Sequence, residues 1–217
     1  MKYVVALVLI GIATVGFFYI KQDRPENNRP VTGLPWQIDQ LADGKTRVFG
    51  ITPGRTTLGE AIELLGNDME LAIIAAPDKE GTLEAYFSHY ASGPITGKLM
   101  LVMDVTPATL AAMRKRAFQD RGTRRYRLHP DDLPGAYLSA VRAIDFIPSY
   151  NLDEDIVYAR FGRPAETIQV NEQQKHLLYP DKGLDLILST EGREILQYLS
   201  PAGFSAHREQ IVAGSQE

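Results

Sequence analysis

The chain has 217 residues, with 23 Lys and Arg against 27 Asp and Glu, a formal net charge of −4 and no cysteine. That balance gives no global basic character for nucleic acid, and the missing thiols exclude disulfide scaffolds, thiolate metal sites, thiol nucleophiles and lipid attachment through cysteine. The length suits one ordinary domain or two small packed units with a core.

The N-terminus reads "MKYVVALVLIGIATVGFFYIKQDR". Tyr3 to Ile20 is uncharged and mostly apolar, and as a helix it would span roughly 27 Å, close to the thickness of a hydrocarbon core. Tyr3 and Tyr19 fall near its two ends, where amphipathic rings prefer to sit. Residues 1–20 are therefore expected to be a transmembrane anchor. The alternative, a cleaved signal peptide, would carry a shorter apolar run and a small-x-small site, whereas this run ends in Phe17-Phe18-Tyr19-Ile20. Lys2 and the α-amine favour a cytoplasmic N-terminus; Lys21, Arg24 and Arg29 pull the other way. The expectation is a single pass through the inner membrane with the body outside the cytoplasm, in the periplasm. Residues 21–45, polar and holding Pro25, Pro30 and Pro35, read as a tether.

The first unit is expected over 46–128. "TRVFGITPG" is an extended entry stopped by Pro53-Gly54. Thr57 and Glu60 have capping-box spacing ahead of Leu58, Ala61, Ile62 and Leu65, and Gly66 fits the end of that helix. "ELAIIAA", "TLEAYFSHY" and "GKLMLVMDV" read as three antiparallel strands. Thr106 and Pro107 open a second helix with Leu110, Met113 and Ala117 inward, closed by Gly122. "RRYRLH" is a short strand.

The second unit is expected over 129–204. A helix enters through Asp131, Asp132 and Pro134 and becomes the extended "AIDFIPS". Asn151 caps a further helix, with Glu154 three residues on and Gly162 at its end. "ETIQV", "KHLLY", "LDLILS" and "EILQYL" are four strands, joined by turns at Asp181-Lys182-Gly183 and Glu191-Gly192. Residues 205–217 read as a C-terminal tail.

Extended entry, capped helix, glycine and meander thus occur twice. Phe49 matches Ile144, Ile51 matches Phe146 and Pro53 matches Pro148; Leu65, Gly66 and Glu70 match Phe161, Gly162 and Glu166, all about 95 residues apart. The tripeptide Pro-Asp-Lys also recurs, at Pro77 and Pro180. Its different offset marks it as a coincidence of turn chemistry. The fold class is α+β: an N-terminal transmembrane helix, then two pseudo-repeated units of helix plus antiparallel sheet.

The stretch "NLDEDIVYARFGRPAE…KHLLYPDKGLDLILSTEGREILQYL" resembles the SmpA/OmlA (BamE-like) fold and its tandem relative, the β-lactamase-inhibitor-protein fold. The shared features are a capped helix ending Phe161-Gly162-x-Pro164, an aromatic strand ending at Tyr179, the strand Leu184 to Leu188, and a turn at Gly192 before a last apolar strand. The resemblance covers mainly residues 151–200. It implies envelope proteins that bind other proteins without catalysis. The chain departs from that family in lacking a lipidated cysteine and in inserting two helices between its units.

His89, His129, His176 and His207 have no spacing of a zinc motif, so no metal site is expected, and His176 reads as a packed or edge histidine. Asp131, Asp132, Asp153 and Glu154 suit first turns of helices, where negative charge meets free N–H groups. No phosphate loop and no Gly-x-Ser-x-Gly are present. Arg114, Lys115, Arg116, Arg121, Arg124, Arg125 and Arg127 form a basic run, able to meet anionic headgroups or an acidic protein, or simply to be a solvated face. The expected function is a non-catalytic, membrane-anchored binding protein of the cell envelope. It would contact a protein partner or an anionic membrane surface, with no cofactor, nucleic acid or small-molecule ligand. The alternatives are a hydrolase, which needs Asp131, Asp132, Asp181 or Asp185 to converge, and an accessory subunit of a membrane complex.

Overall fold

Ten strands join in one antiparallel sheet in a computed structural model of the chain, which describes residues 31–76, 79–120 and 123–215. In chain order the elements begin with the short pair β1 (Asp39–Gln40) and β2 (Thr46–Arg47), which form a separate ribbon. Next come α1 (Leu58–Leu65), β3 (Glu70–Ile74), β4 (Thr82–Ser92) and β5 (Ile95–Met103). The middle of the chain supplies α2 (Pro107–Arg116), β6 (Phe118–Gln119), β7 (Arg125–Arg127), α3 (Leu133–Leu138) and β8 (Val141–Pro148). Last are α4 (Glu154–Phe161), β9 (Glu166–Gln169), β10 (Gln174–Tyr179), β11 (Leu184–Ser189), β12 (Ile195–Leu199) and α5 (Phe204–Gly214). The sheet order is β6-β7-β3-β4-β5-β8-β12-β11-β10-β9.

Because side chains alternate along a strand, register decides which residues share a face. Leu99 faces Phe146, and Phe146 faces Leu196, which faces Leu186, which faces Leu177. This row is buried and belongs to one core cluster with Leu58 and Ala61 of α1, Leu110 and Met113 of α2, Ala136 of α3, and Val157 and Phe161 of α4. Four helices therefore cover one face. Each buried Leu or Phe in the row contributes about 1.5–3 kcal/mol of transfer free energy. Gly97 belongs here for a steric reason: a Cβ would lie 2.5 Å from the Ile147 carbonyl and from the Phe146 ring.

Helix starts and stops follow local chemistry. The Thr57 side chain accepts from the Glu60 N–H while Glu60 accepts from the Thr57 N–H, completing the expected capping box. Thr106 caps α2 with Pro107 at its first position. The two glycines after α1 and α4 share a backbone: Gly66 has φ 90 and ψ 171, Gly162 φ 82 and ψ −171. Such left-side φ values favour glycine over any residue with a Cβ.

Several expectations need correction. α4 is capped by Asp153, whose Oδ1 accepts from the Ile156 N–H, and not by Asn151. α2 stops at Arg116, because Ala117 turns extended and Phe118 and Gln119 join the sheet as β6; Gly122 lies outside the described residues. The expected tail from 205 is α5. The part of the expected tether from Thr32 onward is docked: Trp36 and Ile38 pack on the core, Tyr198 Oη donates to the Pro35 carbonyl at 2.9 Å, and Arg160 stacks on Trp36 at 4.4 Å.

"TRVFGITPG" is not one extended entry. Val48 and Ile51 exchange both backbone hydrogen bonds, and Phe49 (φ 55) and Gly50 (φ 81) form a two-residue hairpin turn with both φ positive. A phenylalanine in that region is strained. Its ring holds it there, packed 5.2 Å from Tyr90, 5.6 Å from Phe146 and 5.6 Å from Tyr198. The counterpart segment from Val141 to Pro148 is instead a full strand at the middle of the sheet, so the match of Phe49 with Ile144 does not hold as structure.

Among the described residues no helix is long and apolar enough to cross a membrane. The expected anchor over 1–20 lies outside the described residues, as do Pro77 and Asp78 of the first Pro-Asp-Lys.

Candidate functional site

The basic run divides between α2 and β7 at one end of the sheet. Several of its members hold the fold. Arg114 donates to the Lys79 carbonyl at 2.6 Å and to the Tyr126 hydroxyl at 3.1 Å, and lies 4.7 Å over the Tyr126 ring. Arg116 pairs with the buried Asp132, which raises the guanidinium's pKa through that hydrogen bond. Arg125 pairs with Glu70 on the adjacent strand β3. Lys115, Arg124 and Arg127 are exposed, and Arg121 lies outside the described residues.

One of these exposed cations, Arg127, meets an aromatic. Phe118, on the outermost strand β6, is 51% exposed. The Arg127 guanidinium lies 5.7 Å from its ring centre and the His129 ring stacks on it at 6.0 Å. Register places Phe118 opposite Arg127, so both project from the same face of the β6–β7 edge. Sequence reasoning named the arginines and noted Phe118 among them, but placed it inside a helix, so its position on an edge strand opposite Arg127 was not foreseen.

The carboxylates expected for hydrolysis are engaged separately. Asp132 is held by Arg116. Asp131 is exposed beside His129, with a 3.5 Å contact. Asp181 sits in the exposed turn after β10, accepting from Gln40 through its backbone carbonyl at 3.1 Å. Asp185 is 0% exposed on β11. Its Oδ2 lies 2.8 Å from His176 Nδ1 and 2.8 Å from His207 Nε2.

That His176–Asp185–His207 cluster fastens α5 to the second face of the sheet. Gln174 Nε2 lies 3.1 Å from His176 Nε2, so an imidazole carrying its proton on Nδ1 satisfies both neighbours. Burial raises the pKa of Asp185, but the hydrogen bonds from His176 and His207 outweigh it, and the carboxyl titrates below its usual range. Arg208, the next residue of α5, grips Glu166 with two hydrogen bonds of 2.6 and 2.7 Å. Two strands along the same face, Asp145 is 8% exposed and accepts from Gln197 Nε2 at 2.9 Å. Burial, opposed by that hydrogen bond and reinforced by Glu84, pushes its pKa up to about 6.

Beside this row a cleft of about 460 Å³ is lined by Arg142, Gln197, Ser200, His207 and Gln210. A histidine on a buried carboxylate has the form of a positioned base. Here, however, both imidazoles face one carboxylate, and among the described residues no hydroxyl is hydrogen-bonded to either ring. The arrangement works as a clamp. Among the described residues no three His, Asp or Glu side chains are placed to hold a metal ion. In comparisons with known proteins, the chain matches no family model, no characterised protein and no solved structure.

Proposed function

We propose that the chain is a non-catalytic binding protein of the cell envelope, held by its first 20 residues in the inner membrane with the sheet-forming body on the periplasmic side. Its working surface is the β6–β7 edge, presented to an acidic protein partner or to anionic headgroups. One observation carries this reading: the half-exposed Phe118 lies on the outermost strand against Arg127 and His129, and the exposed cations Lys115 and Arg124 lie in the neighbouring α2 and just before β7. An exposed aromatic stacked with a guanidinium on an edge strand combines the burial, cation–π and charge contacts that recognition surfaces use.

The body itself reads as a duplicated unit. Helix, glycine and strand recur as α1-Gly66-β3 and α4-Gly162-β9 with matching glycine conformations. β8 and β12 pair antiparallel at the centre, with β5-β4-β3 outward on one side and β11-β10-β9 on the other. An axis between β8 and β12 would relate the halves, with α2, β6, β7 and α3 inserted in the first. This arrangement is what the tandem relative of the SmpA/OmlA (BamE-like) family implies.

The test is co-purification from membranes in mild detergent, comparing the full chain with a Lys115→Glu, Arg124→Glu variant. Loss of a partner with an unchanged melting temperature supports the proposal; equal recovery contradicts it. Arg125→Glu is a poorer probe, because it would set a second carboxylate against Glu70. A reporter fused after Glu217 tests the orientation.

A further inference from the structure

A second surface of opposite charge lies toward the other end of the sheet. The β9–β10 and β11–β12 turns and the start of α4 line a pocket of about 420 Å³. Four of its residues are acidic, namely Asp153, Glu154, Glu172 and Glu194, and the basic member is Lys175. Two of the acids are engaged within the chain: Asp153 caps α4, and Glu154 is paired with Lys175. Glu194 differs. It is only 7% exposed, and its Oε2 is buried with no hydrogen-bond partner among the described residues. Buried carboxylate oxygens are ordinarily supplied with a donor, so an orphan in a pocket wall points to a group that arrives from outside. Leu152 and Leu188 are buried residues of the same wall and give it an apolar strip.

We propose that this pocket takes an arginine side chain from a protein partner. The methylene stem packs along Leu152 and Leu188, as the stems of basic residues do on apolar surface. The guanidinium, a planar fork with donors in fixed positions, reaches Glu194 and Glu172. A bare metal ion fits less well, because the described residues contain no group of acids placed to ligate one. The inference stands apart from the role of the β6–β7 edge, since it uses different strands and the opposite charge.

The test is an NMR titration of the isotope-labelled full chain in mild detergent with N-acetyl-Gly-Arg-Gly-amide. A citrulline peptide serves as the uncharged isostere, and calcium chloride is a separate arm. Saturable shifts should appear at Gln169 to Lys175 and Ser189 to Glu194. Citrulline should bind at least about ten-fold more weakly, because the charge-assisted hydrogen bonds are lost. Glu194→Gln should weaken the arginine peptide by about ten-fold and the exposed Glu172→Gln by about two- to three-fold. Equal binding of the citrulline peptide overturns the proposal. So does an absence of shifts at these turns, or displacement of the peptide by calcium at equal concentration. Should Glu194→Gln fail to fold, Glu172→Gln and the citrulline arm still decide.

Discussion

On the helix-covered face of the sheet the central row is Leu99, Phe146, Leu196 and Leu186; one residue along the same strands, the other face shows Met100, Asp145, Gln197 and Asp185. The first row is closed by four helices and depends on packing. The second lies on the α5 face and depends on hydrogen bonds to buried charge. A one-residue step along each strand therefore separates a pH-indifferent core from a pH-sensitive one. The consequence is that the two faces should fail under different conditions: the first to cavities, the second to a change of pH and to loss of a single proton acceptor.

The largest effect should come from the packed face. Phe146→Ala removes a ring that touches Phe49 and Tyr90, and should cost about 3–5 kcal/mol in denaturant unfolding at every pH. Asp185→Ala should cost about 2–4 kcal/mol near neutrality, by leaving the buried His176 N–H and the part-buried His207 N–H without an acceptor. Its pH dependence identifies the mechanism. A depressed carboxyl stabilises the fold above its unfolded pKa and stops doing so as pH falls through the folded value. The gap between variant and parent should therefore narrow below about pH 4. A gap as wide at pH 3 as at pH 7 would mean that Asp185 acts by packing alone.

Asp145 should behave in the opposite sense. Its folded pKa of about 6 is above the unfolded value, so its contribution is full below about pH 4 and is lost as pH rises through 6. Asp145→Asn keeps the acceptor for Gln197 and removes the charge. It should stabilise the chain by about 1–3 kcal/mol at pH 7.5 and by little at pH 4. Thermal melts at the two pH values check this, and destabilisation at pH 7.5 would show that the charge is needed. The smallest stability effect is expected at the surface: Phe118→Ala should change unfolding by within about 0.5 kcal/mol while removing the centre of the proposed binding edge.

Much of the packed face could be read in the chain. Its strands alternate or run apolar between Gly and Pro turns, and its helices carry Thr57–Glu60 and Thr106–Pro107 as local start signals. The charged face was less legible for physical reasons. His176 and Asp185 meet across the β10–β11 hairpin, so they could have been joined once Leu178 was paired with Asp185. His207 could not, since α5 has little amphipathic pattern and docks through single polar contacts. Phe49–Gly50 misled because a bulky residue at positive φ defies local preference, and only the ring cluster around it explains the turn. The basic run was visible as composition, but its division into structural arginines and exposed ones depended on Tyr126, Asp132 and Glu70, which are distant or unremarkable in sequence.

The most direct measurement replaces Phe118 with a photo-crosslinking amino acid in the full chain and irradiates intact membranes. Capture of one discrete protein or of anionic lipid, abolished by Lys115→Glu with Arg124→Glu, is the predicted result. No adduct, or an adduct indifferent to the charge reversal, would contradict the assignment of the β6–β7 edge as the surface through which the chain works.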